Sequence, residues 1–174
     1  IRRGQIAIRD VEAELDAQHD RFVAALGREP DFIDGHQHVH FLPVSRAWLR
    51  KRFAVNADKP ALRGAPARAG SLATALKVAA VAALAAGFDG SMRQAGFPVM
   101  RPLTGLYDWR HPDRFAPTLL AAVETLPEEG LFMCHPGHID AMLAAREAEF
   151  AFLASDDFGV HLSRAGAEVM RFAG

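Results

Sequence analysis

A single cysteine, Cys134, excludes any disulfide within the chain. That economy fits a reducing compartment, and a cytoplasmic location is the expectation. Net charge of one sign is also missing. Twenty Lys and Arg against 21 Asp and Glu leave a formal charge of -1, so no overall electrostatic attraction to nucleic acid or an anionic membrane is expected. Long apolar runs are absent too. The longest, Val78 to Ala86, is mostly alanine and too short to span a bilayer. The first residues, Ile1-Arg2-Arg3-Gly4, contain no apolar core of a signal peptide. No internal repeat is visible. What the chain does have is ordinary globular composition, half hydrophobic over 174 residues, enough for one α/β domain spanning 1–174. It also has eight histidines, three of them within five residues.

Periodicity organises the chain. Val11, Leu15, Phe22 and Leu26 predict a helix over Asp10 to Leu26, with Asp10 as N-cap and Gly27 at its end. Asp31 to Leu42 reads as a strand running into a loop, stopped by Pro43. Val44 to Phe53 reads as a helix and Ala54 to Asn56 as a short strand. Ala57 to Gly70, rich in Ala, Pro, Gly and Arg, reads as a long loop. Ser71 is a suitable N-cap for an alanine-rich helix to Ala86, which Ser91 to Gln94 resumes. Pro98 to Arg101 is the weakest strand candidate. Pro112 to Leu126 is helical by pattern, its regular part starting near Ala116 because of Pro117. Then come a buried strand over Gly130 to Cys134, and helices over Ala141 to Leu153 and Val160 to Phe172. Strands alternating with helices predict parallel strands in an α/β fold. Three or four strands are few for a closed barrel, so the chain reads as part of a larger α/β unit.

Two histidine motifs carry the chemistry. The first is Asp34-Gly35-His36-Gln37-His38-Val39-His40. On a strand, alternate side chains share a face, which places Asp34, His36, His38 and His40 in one row with neighbours about 6.5–7 Å apart. Imidazoles in such a row can share a zinc-type ion. A lone histidine on a strand is usually structural, but three in alternation after an aspartate point to a metal or catalytic role for at least one. The remaining members are expected to hold a ligand or substrate by hydrogen bonds. The second motif is Met133-Cys134-His135-Pro136-Gly137-His138-Ile139-Asp140. There a strand ends in a histidine and turns, at the strand end where parallel α/β enzymes place their chemistry. His135 is positioned to act as a general acid or base.

Together, and in this order, the two motifs resemble the YdjC/ChbG deacetylases, whose pattern is Asp-x-His-x-His-Val-His-x-x-Pro followed much later by a Cys-His-Pro-Gly turn. Arg146 and Glu149 are similar to the Arg-x-x-Glu that usually follows that turn. The alanine-rich helix and Gly105-Leu106-Tyr107-Asp108-Trp109 resemble the branch associated with hopanoid biosynthesis. The resemblance covers nearly all of the chain. It implies a partial (β/α)-barrel-like domain of the polysaccharide-deacetylase-like type and removal of acetyl groups from a small N-acetylated carbohydrate. It implies a divalent ion, Mg or Zn, with His36 as a ligand, and His135 as catalytic. Asp34, His38, His40 and His138 then fall to support of the ion or substrate.

The family also opens with a strand ending in Ala-Asp-Asp-Phe-Gly and a second strand with Gly-x-His. Neither precedes the first helix here, so the resemblance implies that about the first third of a typical member is absent and that His36 is the one family metal ligand present. Asp156-Asp157-Phe158-Gly159 spells the same tetrapeptide. It follows a helical segment instead of closing an apolar strand, and reads as a helix-to-helix turn. Two rivals remain: an amidohydrolase-like hydrolase with His36 and His38 as joint ligands, and a non-catalytic fragment or binding module. Missing strands would leave apolar edges, so a homo-oligomer is expected. Trp48, Tyr107 and Trp109 are read as packing residues, and Arg50-Lys51-Arg52 as a solvated helix face.

Overall fold

The computed structural model describes residues 6–66, 72–128, 130–138 and 144–168. The chain forms two compact units. The first comprises residues 1–65, 83–99 and 172–174, and the second residues 66–82 and 100–171.

In the first unit, α1 (Ile8–Leu26) follows the expected period and stops where Gly27 takes a left-handed φ of 66°. That geometry lets the Gly27 N–H reach the Val23 carbonyl at 2.8 Å. Asp10 lies within the first turn, and the cap position is Ala7, without a side-chain bond. Next come β1 (Phe32–Ile33), α2 (Pro43–Arg52) and β2 (Ala61–Arg63). Pro43, read as a stop, instead opens α2, where its fixed φ and missing N–H cost nothing. Ala54 to Asn56 is a turn. The strand lies later, at β2, inside the stretch read as loop. Its parallel register with β1 is Phe32 to Ala61 and Ile33 to Leu62. On its other side, Leu62 donates to Pro98 O at 2.8 Å, beside β3 (Val99–Met100).

The aromatic residues build this unit's core. Phe41, Phe53 and Phe88 are fully buried, and Phe41 meets Phe88 edge-on with centroids 4.9 Å apart. Trp48 is buried as expected, its indole N–H donating to Asp16 at 2.8 Å. The basic cluster of α2 is less solvated than expected. Arg52 donates to Asp20 at 2.6 Å and to buried His19 at 2.8 Å. Arg46 donates to the carbonyls of Leu84 and Ala86, the end of α3 (Leu72–Leu84). The expected cap of α3, Ser71, lies outside the described residues. The resumed helix is α4 (Phe88–Gln94).

The second unit contains β4 (Leu103–Thr104), α5 (Phe115–Thr125), β5 (Leu131–Phe132), α6 (Ala144–Leu153) and α7 (Asp156–Arg164). β4 and β5 are parallel, joined through α5, with Leu103 opposite Leu131 and Thr104 opposite Phe132. Tyr107, Phe115, Leu119 and Ala145 form the core, with Phe132 and Phe152 packed against it. The last helix starts at Asp156 instead of Val160 because Ser155 caps it, accepting from Phe158 N. The Asp-Asp-Phe-Gly tetrapeptide is therefore the first turn of a helix, with Asp156 and Asp157 exposed and Phe158 packed against the core, and no strand leads into it. The architecture is mixed α/β with parallel strands, and among the described residues neither sheet closes on itself.

Candidate functional site

The first histidine motif is not a strand. His36–Phe41 forms 3-10 turns, with Gln37 at φ 51° and His38 at φ 64°. The row of Asp34, His36, His38 and His40 is thereby broken. His36 is exposed, His38 half-buried and His40 buried. With the alternation gone, the geometric premise for joint ligation by His36 and His38 is gone as well.

His40 is a brace for the loop. Its Nδ1 accepts from Gly35 N at 3.2 Å, so Nε2 carries the proton and faces Arg63 O, also at 3.2 Å. The ring lies 3.9 Å from Phe41. A Cβ on Gly35 would stand 2.6 Å from the His40 backbone nitrogen, so only glycine fits there. Arg63, itself buried, donates to Asp34 at 2.6 Å and to the Gly35 carbonyl at 3.3 Å. Asp34 is thus engaged by a guanidinium.

Burial, then the positive Arg63, pulls the His40 imidazole from its ordinary 6.5 down to about 4. The unfolded chain binds this proton at higher pH than the folded one does. Stability from neutral His40 is therefore complete above pH 6.5 and is lost as pH falls toward 4, by up to about 3 kcal/mol. Denaturant midpoints measured from pH 7 to 4.5 should fall accordingly, and His40→Asn should flatten the slope. An unchanged slope in the variant would assign the effect elsewhere.

The second motif keeps its expected place at the end of a parallel strand. Met133 N donates to Thr104 O at 3.0 Å, the last bond of the β4–β5 ladder. From Cys134 the backbone leaves the sheet. His135 N–H donates to Glu149 Oε2, and Glu149 Oε1 accepts from Tyr107 Oη at 2.6 Å. Glu149 is buried, only 1% exposed. Burial, followed by the hydrogen bond to Glu149, raises the Tyr107 phenol above its ordinary range, so it stays a proton donor. Arg146 Nε donates to His135 O at 3.3 Å, and Gly137 N to Arg146 O at 3.1 Å. Trp109 sets its ring edge-on to the His135 imidazole, centroids 5.0 Å apart. His138 is exposed and lies against Phe150 at 4.5 Å. Ile139 and Asp140 lie outside the described residues. Burial, with Glu149 nearby, pushes the Cys134 thiol up, which leaves it protonated and a poor nucleophile at neutral pH.

Glu149 stands out as a site residue with a role the spacing alone did not assign. The signal was its place three residues after Arg146, which puts both on one face of α6.

No group of three or more His, Cys, Asp or Glu among the described residues is arranged to hold a metal ion. His36 is available, but Asp34 is tied to Arg63. The donors among the described residues do not make the three-ligand set that a catalytic zinc-type ion needs.

The fold and these two motifs define a class: a parallel-stranded α/β protein with a histidine fixed just past a strand end. The chain belongs to the YdjC-like protein family, whose sequence profile it matches over residues 1–164. It is 55% identical over 40 residues to a carbohydrate deacetylase of Mus musculus, covering 23% of this chain and 13% of that protein. It is 39% identical over 62 residues to a chitooligosaccharide deacetylase of Enterobacter sp. (strain 638), covering 33% and 25%. A solved structure from Enterococcus faecalis V583, assigned provisionally to cellobiose-phosphate cleavage, superposes with a TM-score of 0.58 at 22% identity. That superposition covers 95% of this chain and 60% of the Enterococcus chain, so the curated and structural relatives extend well beyond what is matched.

Proposed function

We propose that the protein bearing this chain hydrolyses the acetamido group of a small N-acetylated carbohydrate, releasing acetate and a free amino sugar. The observation that carries this reading is His135. It sits three residues past β5, its backbone held on both sides by α6, in a motif matching that of the YdjC/ChbG family. The names of the mouse and Enterobacter relatives supply the substrate class.

In this reading water adds to the acetyl carbonyl, the C–N bond breaks and the amine leaves with a proton. His135, as imidazolium, donates that proton or a hydrogen bond to the developing oxyanion. Trp109 flanks the imidazole and restricts its swing. The divalent ion belongs to this proposal with His36 as its one donor from the described residues; two more donors are required, and no step is assigned to it. The proposal also takes the chain as part of a (β/α)-barrel-like fold, and the protein as cytoplasmic. Asp34, His40 and Arg63 act on the loop that presents His36 and do not themselves bind the ion.

The test is acetate release by the protein at its natural length, supplied with Zn²⁺ or Mg²⁺, across a panel of acetamido sugars. Release from at least one member is expected. Silence across the panel would remove the substrate class.

A further inference from the structure

We propose that Glu149, seconded by Arg146, is the positioning residue that fixes the His135 backbone; this rests on His135 being the catalytic group. A carboxylate that is 1% exposed needs a reason. Burying its charge is costly, and a leucine of similar size would pack there at less expense. What leucine cannot do is accept two hydrogen bonds. One comes from Tyr107 Oη and the other from the main-chain N–H of His135.

The second bond falls at a telling place. Up to Met133, alternate N–H groups of the β5 segment are taken by the β4 segment: Leu131 donates to Pro102 O and Met133 to Thr104 O. At His135 the ladder has ended, and Glu149 supplies the acceptor that the sheet no longer provides. On the far side of the same residue, Arg146 Nε holds the His135 carbonyl at 3.3 Å. Both peptide groups flanking the His135 Cα are thus bound by side chains of a single turn of α6. Gly137 completes the clamp, since a Cβ there would stand 2.9 Å from Arg146 Nη2. The backbone dihedrals of His135 are thereby pinned, and Trp109 packs edge-on against its ring. Such fixing matters because a misplacement of about 1 Å can cost about 100-fold in rate.

The test compares Glu149→Leu and Glu149→Gln in the protein at its natural length. Leucine removes both acceptors; glutamine can still accept from His135 N–H while donating to Tyr107. For Glu149→Leu, kcat for acetate release should fall about 100-fold with KM within about 3-fold, and Glu149→Gln should recover most of it. A second readout does not need turnover. In ¹⁵N-histidine-labelled protein the His135 amide should exchange slowly with solvent, faster by about 10-fold or more in Glu149→Leu, given a lost bond of about 1.5–3 kcal/mol, and slowly again in Glu149→Gln. Should Glu149→Leu fail to fold, Glu149→Gln alone decides: preserved exchange protection supports the clamp, and full loss overturns it. Unchanged His135 exchange in Glu149→Leu, or unchanged kcat, would overturn the proposal. Absence of any deacetylation, with the amide behaving as expected, would instead sink the substrate reading and leave the clamp standing.

Discussion

His135→Ala should lower kcat for acetate release by about 100-fold to 10,000-fold, the range that a single general acid–base group contributes. KM should change little, because in the proposed mechanism the imidazole acts on charge that develops in the transition state and not on the resting sugar. Stability should also change little. His135 is half-buried, and alanine retains the backbone bonds to Glu149 and Arg146. The edge contact with Trp109 is lost. Steady-state kinetics beside a thermal melt separate the alternatives. A variant with normal melting and normal kcat would show that His135 takes no part in the chemistry. A variant that loses kcat only as it unfolds would say the same.

The second large effect concerns stability. Gly105 follows β4 directly, with φ at +89°. A Cβ there would stand 2.7 Å from Met133 N and closer still to the Met133 carbonyl oxygen. These are backbone atoms of the neighbouring strand segment and cannot swing aside. Met133 N is also the donor of the last β4–β5 ladder bond. Gly105→Ala therefore combines a left-handed conformation, about 1–2 kcal/mol for a residue with a Cβ, with forced separation of two strands, about 1–3 kcal/mol. A loss of about 3 kcal/mol is expected, a large part of a stability of about 5–15 kcal/mol. Gly90→Ala is the matched control, since it lies within α4 with nothing within 4 Å of its added Cβ. It should be neutral or stabilising by up to about 1 kcal/mol. Equal denaturation midpoints for the two variants would mean that the β4–β5 approach is looser than described.

The helices were legible because burial of one face leaves a period of 3.6 in the sequence. α1, α2, α5 and α6 all fall where that period places them, and Gly27 ends α1 for the expected steric reason. β5 was legible as a short apolar run before a Pro-Gly turn. β2 was not. Ala61-Leu62-Arg63 contains no β-branched or aromatic residue, and its strand state comes from pairing with β1 and burial of all three residues.

The first histidine motif misled for a more specific reason. Histidine at every second position imitates a strand, but period alone does not say what the backbone must do. Gly35 packs on His40 so tightly that no side chain fits, and the Gly35 N–H is bound by the His40 ring instead of a neighbouring strand. Those local bonds favour turns, and Gln37 and His38 accept positive φ to make them. The glycine between Asp34 and His36 was the available sign. Arg63 was hidden because its contribution depends on β2. Once β2 pairs with β1, Arg63 is carried to Asp34 and the Gly35 carbonyl. The second motif was read more fully because its turn depends on residues close in sequence, with Arg146 and Glu149 reaching back from the next helix.

The most direct measurement is product analysis after the protein at its natural length has acted on N,N′-diacetylchitobiose. The expected product is lighter by one acetyl group, carries one new primary amine per acetate released, and retains its glycosidic bond. A disaccharide cut at the glycosidic bond with both acetyl groups in place, or no acetate from it or from any other acetamido sugar of the panel, would contradict the account.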